Sequence, residues 1–148
     1  MPVLQFVAVL ATTLFAGASI YINVAEHPAR MECGVIVAAT VFGPSYRRAA
    51  VMQVTLALVA TLAAVSAWLA GAPLAWLVGA LLIFAVIPFT VLAIMPTNKI
   101  LLDPATDRSS ELLHRSLQRW GRLHGVRSVL ALLSSMVLLG SLILQSRR

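Results

Sequence analysis

Residues 74–95 read LAWLVGALLIFAVIPFTVLAIM, a stretch of 22 residues without a single charged side chain. A helix needs about 20 consecutive apolar residues to cross the hydrocarbon core of a bilayer. Unpaired backbone groups are not tolerated in lipid, so a crossing segment of this composition has to be helical. The stretch therefore predicts a transmembrane helix, which Pro88 is expected to kink.

Three further apolar stretches have a similar length, at residues 3–24, 49–70 and 126–145. Only the tripeptide GAP at residues 71–73 separates the second span from the third, which predicts a tight antiparallel hairpin. The first stretch is interpreted as a retained span, because no basic residue precedes it and it is longer than a signal-peptide core. The sequence thus predicts an all-α, antiparallel four-helix membrane bundle that forms a single domain over residues 1–148.

The composition of the whole chain agrees with insertion into a membrane. Of the 148 residues, 60% are hydrophobic and only 11% are charged, and the mean hydropathy is +0.94. A soluble domain usually carries about 25% charged residues. The formal net charge of +6 does not indicate nucleic-acid binding, because the basic residues flank the spans, where they set topology and meet lipid headgroups. The expected partner is the lipid bilayer, with no nucleic acid.

The two long connections between spans carry further predicted structure. In the first connection, the apolar run at residues 34–42 is too short to cross, and it predicts a short interfacial or re-entrant helix after span one. In the second connection, which begins with residues 96–98, helices three and four are predicted to be joined by an elbow. Asp103 and Pro104 then predict an N-cap followed by the first residue of a helix. An amphipathic pattern continues from there into span four, which predicts that helix four extends beyond the bilayer.

Basic residues are distributed unequally between the two ends of the predicted bundle. Nine of the 11 Lys and Arg residues fall in the two connections, and the other two are Arg147 and Arg148. By the positive-inside rule, both connections are predicted to be cytoplasmic and both termini outside. The expected location is a bacterial-type inner or plasma membrane.

Candidate site residues gather at the same end as the basic residues. All Asp, Glu, His and Lys residues lie within residues 26–48 or 98–127, which an antiparallel bundle brings together. Five residues of the second segment follow 4, 3, 4, 3 spacing and share one helix face: Leu113, Leu117, Trp120, His124 and Arg127. Polar groups at membrane depth are costly, and they are usually paired or functional. We therefore expect His27, Asn98, Trp120, His124 and Arg127 to converge at this end.

Each of these residues also has a purely structural interpretation, which the sequence leaves open. His124 could form a hydrogen bond between helices, and Trp120 could be an interfacial anchor. Arg127 could pair with a carboxylate or a lipid phosphate, and Asn98 could cap the elbow. The single cysteine, Cys33, excludes the membrane thiol oxidoreductases, whose chemistry needs paired thiols.

A short motif gives these residues a family resemblance. The pattern W-x-x-x-H-x-x-R occupies residues 120–127, and the tetrapeptide PTNK precedes it at residues 96–99. With Pro28 after the first span, weaker matches at Gly17 and Tyr21, and four predicted spans, the chain resembles the anthrone oxygenase-like family. These are small four-helix membrane proteins, most of which have been carried as a domain of unknown function.

The resemblance implies an oxygenase. Fungal members oxidise an anthrone, a reduced tricyclic polyphenol, to an anthraquinone with molecular oxygen, whereas many bacterial members have no known substrate. His124 would then be the base, Arg127 and Asn98 would stabilise the enolate oxygen, and Trp120 would stack on the planar ring. His27 and Tyr21 would complete the set of substrate contacts. Molecular oxygen is the expected co-substrate, with no metal and no other cofactor.

Three other function classes remain open from the sequence. The first is a non-catalytic membrane protein that binds a lipid or another membrane protein. The second is a metal or haem protein using Glu26, His27 and His124, although no pair of ligands has the spacing of a metal motif within one helix. The third is a transporter, for which four spans without an internal repeat is small. The oligomeric state is not indicated.

Overall fold

The computed structural model describes residues 1–146, and every regular element in that range is a helix. Four helices are long and apolar enough to cross a membrane: α1 (Pro2–Glu32), α2 (Val35–Leu69), α3 (Ala75–Leu102) and α4 (Glu111–Ser146). Helix α1 packs against α2 and α4, and α3 packs against the same two helices. The chain therefore closes a four-helix bundle, and the predicted fold class is confirmed. Arg147 and Arg148, which entered the topology prediction, lie outside the described residues.

Two of the four helices contain a π-helical turn shortly before a proline. Pro28 follows the turn in α1, and Pro96 follows the turn in α3; the two π turns are Ile22–Glu26 and Thr90–Ile94. Proline lacks an N–H group, and its ring crowds the carbonyl four residues earlier. The wider π turn lets each helix continue past its proline. Helix α3 therefore continues to Leu102, beyond the predicted end of span three at Met95, and the elbow between helices three and four lies at residues 103–110.

The connection between α1 and α2 is much shorter than predicted. Gly34 has a φ of +89°, a left-handed conformation that glycine adopts without steric cost and that reverses the chain at once. The apolar run at residues 34–42 does not form a separate interfacial helix. It enters α2, which runs from Val35 to Leu69 with Pro44 inside it. The hydropathy pattern did not show that the run and span two belong to one long helix.

Helix α4 begins later than the sequence predicted. Asp103 is extended, residues 103–110 form turns, and the helix starts at Glu111. Each aspartate of this connection caps its own turn. The carboxylate of Asp103 accepts the amide hydrogen of Ala105, and that of Asp107 accepts hydrogen bonds from the amide and hydroxyl of Ser109. These bonds hold the pKa of Asp107 below its ordinary value. The 36 residues of α4 span about 54 Å, longer than the hydrocarbon core of about 30 Å, so α4 extends beyond it.

Small side chains fill the interior, and large apolar side chains face outward. Ala60 and Ala64 are completely buried, whereas Leu62 and Leu92 are 66% and 77% exposed. In lipid, helices are held by close packing of small residues, since the surrounding acyl chains are as apolar as leucine. The distribution therefore fits a bundle whose outer surface contacts lipid.

Candidate functional site

A cavity of about 160 Å³ lies between the four helices, towards the charged end of the bundle. The charged, amide and imidazole groups of its lining are those of Arg30 of α1, Gln53 of α2, and His124 and Arg127 of α4. Hydroxyl groups come from Ser45, Tyr46 and Thr90, and the other walls are mainly apolar. An apolar cavity of about 150 Å³ is large enough to hold benzene. In this conformation, the cavity therefore has room for one aromatic ring.

Trp120 forms one wall of the cavity and is the centre of an aromatic cluster. Its ring lies 4.7 Å from that of His124, at an interplanar angle of 28°, and 5.2 Å from the edge-on ring of Phe42. The guanidinium of Arg30 lies 6.0 Å from the indole centroid. The side chain of Trp120 is buried rather than placed at the lipid interface, which disfavours its interpretation as an interfacial anchor.

His124 is buried, and it connects α4 to the π turn of α1. Its Nδ1 atom lies 2.6 Å from Oδ1 of Asn23. The same oxygen accepts a hydrogen bond from the hydroxyl of Ser128 at 2.7 Å. The amide nitrogen of Asn23 donates to the carbonyl of Gly121 at 2.9 Å. His124 is therefore held by a hydrogen-bonded group that joins two helices.

Asn23 is a site residue that the sequence reasoning missed. It lies within the first apolar span, where it was counted simply as part of the helix. A lone asparagine at membrane depth is costly unless it is paired, and that cost was the signal that could have found it. The same holds for Gln53, a lone glutamine in the second span that is buried beside Arg127.

Arg127 is fixed along one edge of its guanidinium group. Its Nη2 atom donates to Oε1 of Gln53 at 2.7 Å, and the guanidinium carbon lies 5.6 Å from the ring centroid of Phe15. Its Nε atom is buried and has no acceptor within residues 1–146. No carboxylate in that range forms an ion pair with Arg127. The side chain therefore has spare hydrogen-bond donors beside the cavity.

The carboxylate of Glu26 is engaged by two residues of the cavity lining, Arg30 and Ser45. Glu26 pairs with Arg30 at 3.3 Å, and it also accepts a hydrogen bond from Ser45 at 2.7 Å. The cavity lining contains two guanidinium groups and no carboxylate. Across the part of the chain that the structure describes, no three His, Cys, Asp or Glu side chains gather as a metal site would require.

Three of the six predicted site residues do not line the cavity. His27 packs against the indole of Trp120, with ring centroids 5.2 Å apart, and faces a shallow outer groove. Asn98 is completely buried, and neither of its amide atoms has a partner among residues 1–146. Tyr21 is 61% exposed on the outside of the bundle. The cavity thus brings together Trp120, His124 and Arg127.

Asn98 nevertheless lies close to the aromatic cluster. It shares a face of α3 with Ile94 and Leu101, four residues before and three residues after it. Both of these apolar residues belong to the same buried cluster as Trp120. Asn98 therefore lies in the packing around the site rather than on the cavity wall.

Comparison with known proteins identifies a family for this chain. A family model described as anthrone oxygenase matches residues 42–137, which is more than half of the chain. The matched range includes Gln53, Trp120, His124 and Arg127, whereas Asn23 precedes it. No curated protein and no solved structure matches the chain. The family match covers more than half of a chain that has four membrane-spanning helices. We conclude that the chain belongs to the anthrone oxygenase family.

Proposed function

We propose that this protein is a membrane-embedded oxygenase that oxidises a lipophilic aromatic substrate of the anthrone or quinol type. The observation that supports this best is that Trp120, His124 and Arg127 line one largely apolar cavity. These three side chains offer a ring to stack on, a base and a hydrogen-bond donor for an anionic oxygen. We propose no role at the reacting atoms for Asn98 or Tyr21, which do not line the cavity.

The substrate reaches the cavity from the bilayer in this proposal. Val54 of α2 and Val91 of α3 line the cavity, yet they are 51% and 55% exposed on the outer surface. Both lie within the predicted membrane spans, so the opening between α2 and α3 faces lipid. Molecular oxygen and polycyclic phenols both partition into lipid, and the same route serves both reactants. Because the cavity has room for one ring, part of a tricyclic anthrone lies in the opening between α2 and α3 in this proposal.

His124 acts as the general base. The benzylic C–H of an anthrone is acidic, because the carbanion that remains is stabilised by the aromatic rings. The neutral imidazole of His124 removes this proton while the indole of Trp120 stacks on the substrate. Negative charge moves onto the substrate oxygen, where the spare donors of Arg127 stabilise it. Such stabilisation is large in a poorly hydrated site, since little water competes for the charge.

Oxygen then completes the reaction, and the electrons come from the substrate. The carbanion transfers its electron pair to O₂, and a carbon–oxygen bond forms to give a hydroperoxide after protonation. Loss of the second benzylic hydrogen together with cleavage of the O–O bond releases water and leaves a carbonyl. One oxygen atom of O₂ enters the product, and the other leaves as water with the two benzylic hydrogens. We propose that no metal or other cofactor takes part.

The charged end of the bundle is proposed to face the cytoplasm. Arg47, Arg48, Lys99 and Arg108 all lie at this end, and basic residues near spans are retained inside. The membrane is then a bacterial-type inner or plasma membrane with both termini outside. Reporter fusions after Leu74 and after Pro104 should be active on opposite sides. Activity on the same side for both would contradict the proposed topology.

The catalytic proposal is tested by oxygen uptake in nanodiscs, with an anthrone as substrate and a chelator present. Replacing His124 with Gln should lower kcat by about 10²–10⁴-fold, as expected when a general base is removed. Arg127→Lys should lower kcat by about tenfold or more, because a point charge does not reproduce the fork of donors held by Gln53. Circular dichroism should show unchanged helix content in both variants.

The control is Arg115→Gln, which changes a charge on the same helix away from the cavity. Arg115 is exposed, and within residues 1–146 it pairs only with Glu111, at 2.8 Å, so turnover should be unchanged. Turnover that is indifferent to His124→Gln would exclude the assigned base. If no anthrone or quinol is oxidised, and mass spectrometry instead identifies a lipid or membrane protein that co-purifies, the chain is a non-catalytic binding protein.

A further inference from the structure

We propose that Asn23 is a positioning residue that fixes the tautomer of His124, with the hydrogen on Nδ1 and the basic lone pair on Nε2. The tautomer follows from hydrogen-bond geometry alone. Its consequence for catalysis rests on the proposed function, in which His124 is the base. The two statements are therefore tested by different measurements.

The first step is the orientation of the Asn23 amide. A backbone carbonyl only accepts hydrogen bonds, so the atom of Asn23 that lies 2.9 Å from the carbonyl of Gly121 has to be the donor, Nδ2. Its other amide atom, which lies beside His124 and Ser128, is consequently the oxygen. The hydroxyl of Ser128 can donate or accept, so it agrees with this orientation without deciding it.

The second step is the proton on the imidazole. An amide oxygen has no hydrogen to donate, so the 2.6 Å contact between Oδ1 of Asn23 and Nδ1 of His124 requires a hydrogen on Nδ1. A neutral imidazole carries only one N–H group. Nε2 then keeps its lone pair, and it has no hydrogen-bond partner within residues 1–146. The lone pair that can accept a proton is therefore the one that no protein group occupies.

The third step is how rigidly the ring is held. The hydrogen bond that His124 donates to Asn23 fixes the imidazole at one edge, and the indole of Trp120 stacks on its face at 4.7 Å. Asn23 lies in the π turn of α1, and its own amide is held by Gly121 of α4. An amide fixes the tautomer without adding charge, whereas a carboxylate at this position would stabilise the imidazolium and favour a resting ring that already carries both protons.

The test is ¹⁵N NMR of histidine-labelled protein in nanodiscs, without any substrate. A protonated ring nitrogen and an unprotonated one have well-separated shifts. The chain has three histidines, and the variants His27→Gln and His114→Gln identify the signals of His124. We expect a protonated Nδ1 and an unprotonated Nε2 in the wild-type protein. A protonated Nε2 with a bare Nδ1 would overturn the proposal without any variant at position 23.

Two substitutions of Asn23 sharpen the test. Asn23→Leu removes the acceptor, so His124 should lose its single tautomer. Asn23→Asp keeps an acceptor oxygen, so Nδ1 should stay protonated. The matched control is Gln5→Leu, which removes an amide from the same helix, where Gln5 bonds Gln145 at the other end of the bundle. The shifts of His124 should not change in this control. An unchanged His124 spectrum in folded Asn23→Leu would overturn the proposal.

Measurements of kcat test the catalytic role of Asn23 separately from the tautomer of His124. If His124 is the base, Asn23→Leu should lower kcat about tenfold or more, with a smaller change in KM. A wild-type protein that oxidises no anthrone or quinol would contradict the proposed function, yet the NMR result would still decide the tautomer. Conversely, an active enzyme whose kcat is unaffected by Asn23→Leu would show that the positioning of His124 is unimportant for turnover, which contradicts the catalytic role of Asn23.

Discussion

The two ends of this bundle differ in the size of the side chains that pack between the helices. At the end that holds the N-terminus, Ala63, Ala64, Ala67 and Ala80 pack with Trp76 in a cluster dominated by alanine. At the charged end, a second cluster is built from larger side chains, with Phe42, Ile94, Leu117 and Trp120 at its centre. The alanine-rich end brings the helices close together, whereas the charged end keeps space between them. We call the first region the alanine-rich end, and the charged end is called the aromatic end from here on.

The helices themselves differ between the two ends. Both π turns, Ile22–Glu26 and Thr90–Ile94, lie towards the aromatic end, and each is followed by a proline. The first π turn carries Asn23, and the second contributes Thr90 and Val91 to the cavity lining. Irregular turns of this kind often occur at functional sites. The comparison indicates that close packing by small residues at one end permits an opening at the other.

The larger of the two effects that this comparison predicts is expected at the mouth of the cavity. Replacing Val91 with Trp should block the opening between α2 and α3, because the indole is far larger than the valine that lines it. We expect kcat/KM for a lipophilic substrate to fall about tenfold or more, which corresponds to about 1.4 kcal/mol. Oxygen uptake at low substrate concentration in nanodiscs measures the change, and thermal unfolding should be unaffected.

The adjacent residue offers a matched control. Leu92 is 77% exposed and does not line the cavity. Leu92→Trp adds the same indole to the same helix on the outer surface away from the cavity, so kcat/KM should be unchanged. Equal losses in the two variants would show that the aromatic end is not open to lipid between α2 and α3.

The fold was predictable because a lipid bilayer restricts which backbone structures can cross it. Four apolar stretches of sufficient length allow few alternatives, since a bilayer excludes unpaired backbone. The helix ends were less predictable. Rules derived from soluble proteins end a helix near Pro96 and start one at Asp103, but α3 continues through its proline with a π turn. Asp103 does act as a capping residue, as predicted, but its carboxylate caps a turn rather than the start of a helix.

The candidate site was predictable where it follows one helix. Trp120, His124 and Arg127 repeat at helical spacing on α4, so a single period places them on one face. The position of Asn23 beside them depends on a π turn and on the packing of α1 against α4. Neither is encoded in a local pattern. Tyr21 shows the opposite error, since a resemblance suggested a site residue and the structure places its side chain on the outer surface.

A smaller effect is expected on the free energy of unfolding when a glycine at each end is replaced, Gly79 at the alanine-rich end and Gly121 at the aromatic end. A Cβ atom at Gly79 would lie 2.4 Å from Cδ2 of Leu138, and a Cβ atom at Gly121 would lie 2.6 Å from Nε2 of His27. The clashes are almost equal, but the surroundings are not. Leu138 is completely buried in the alanine-rich end, whereas His27 borders an open groove of about 410 Å³ at the aromatic end.

Gly79→Ala should therefore destabilise the protein by about 1–3 kcal/mol, as overpacking of a closed interior usually does. In Gly121→Ala the ring of His27 can rotate into the groove, and replacing glycine within a helix contributes about 0.5–1 kcal/mol in favour of folding. The net change in the free energy of unfolding should then stay within about 1 kcal/mol. Gly140→Ala, where a Cβ atom meets nothing within 4 Å, isolates the helix contribution. Reversible unfolding in mixed detergent micelles measures all three, and a Gly121→Ala loss equal to that of Gly79→Ala would contradict the contrast between a closed and an open end.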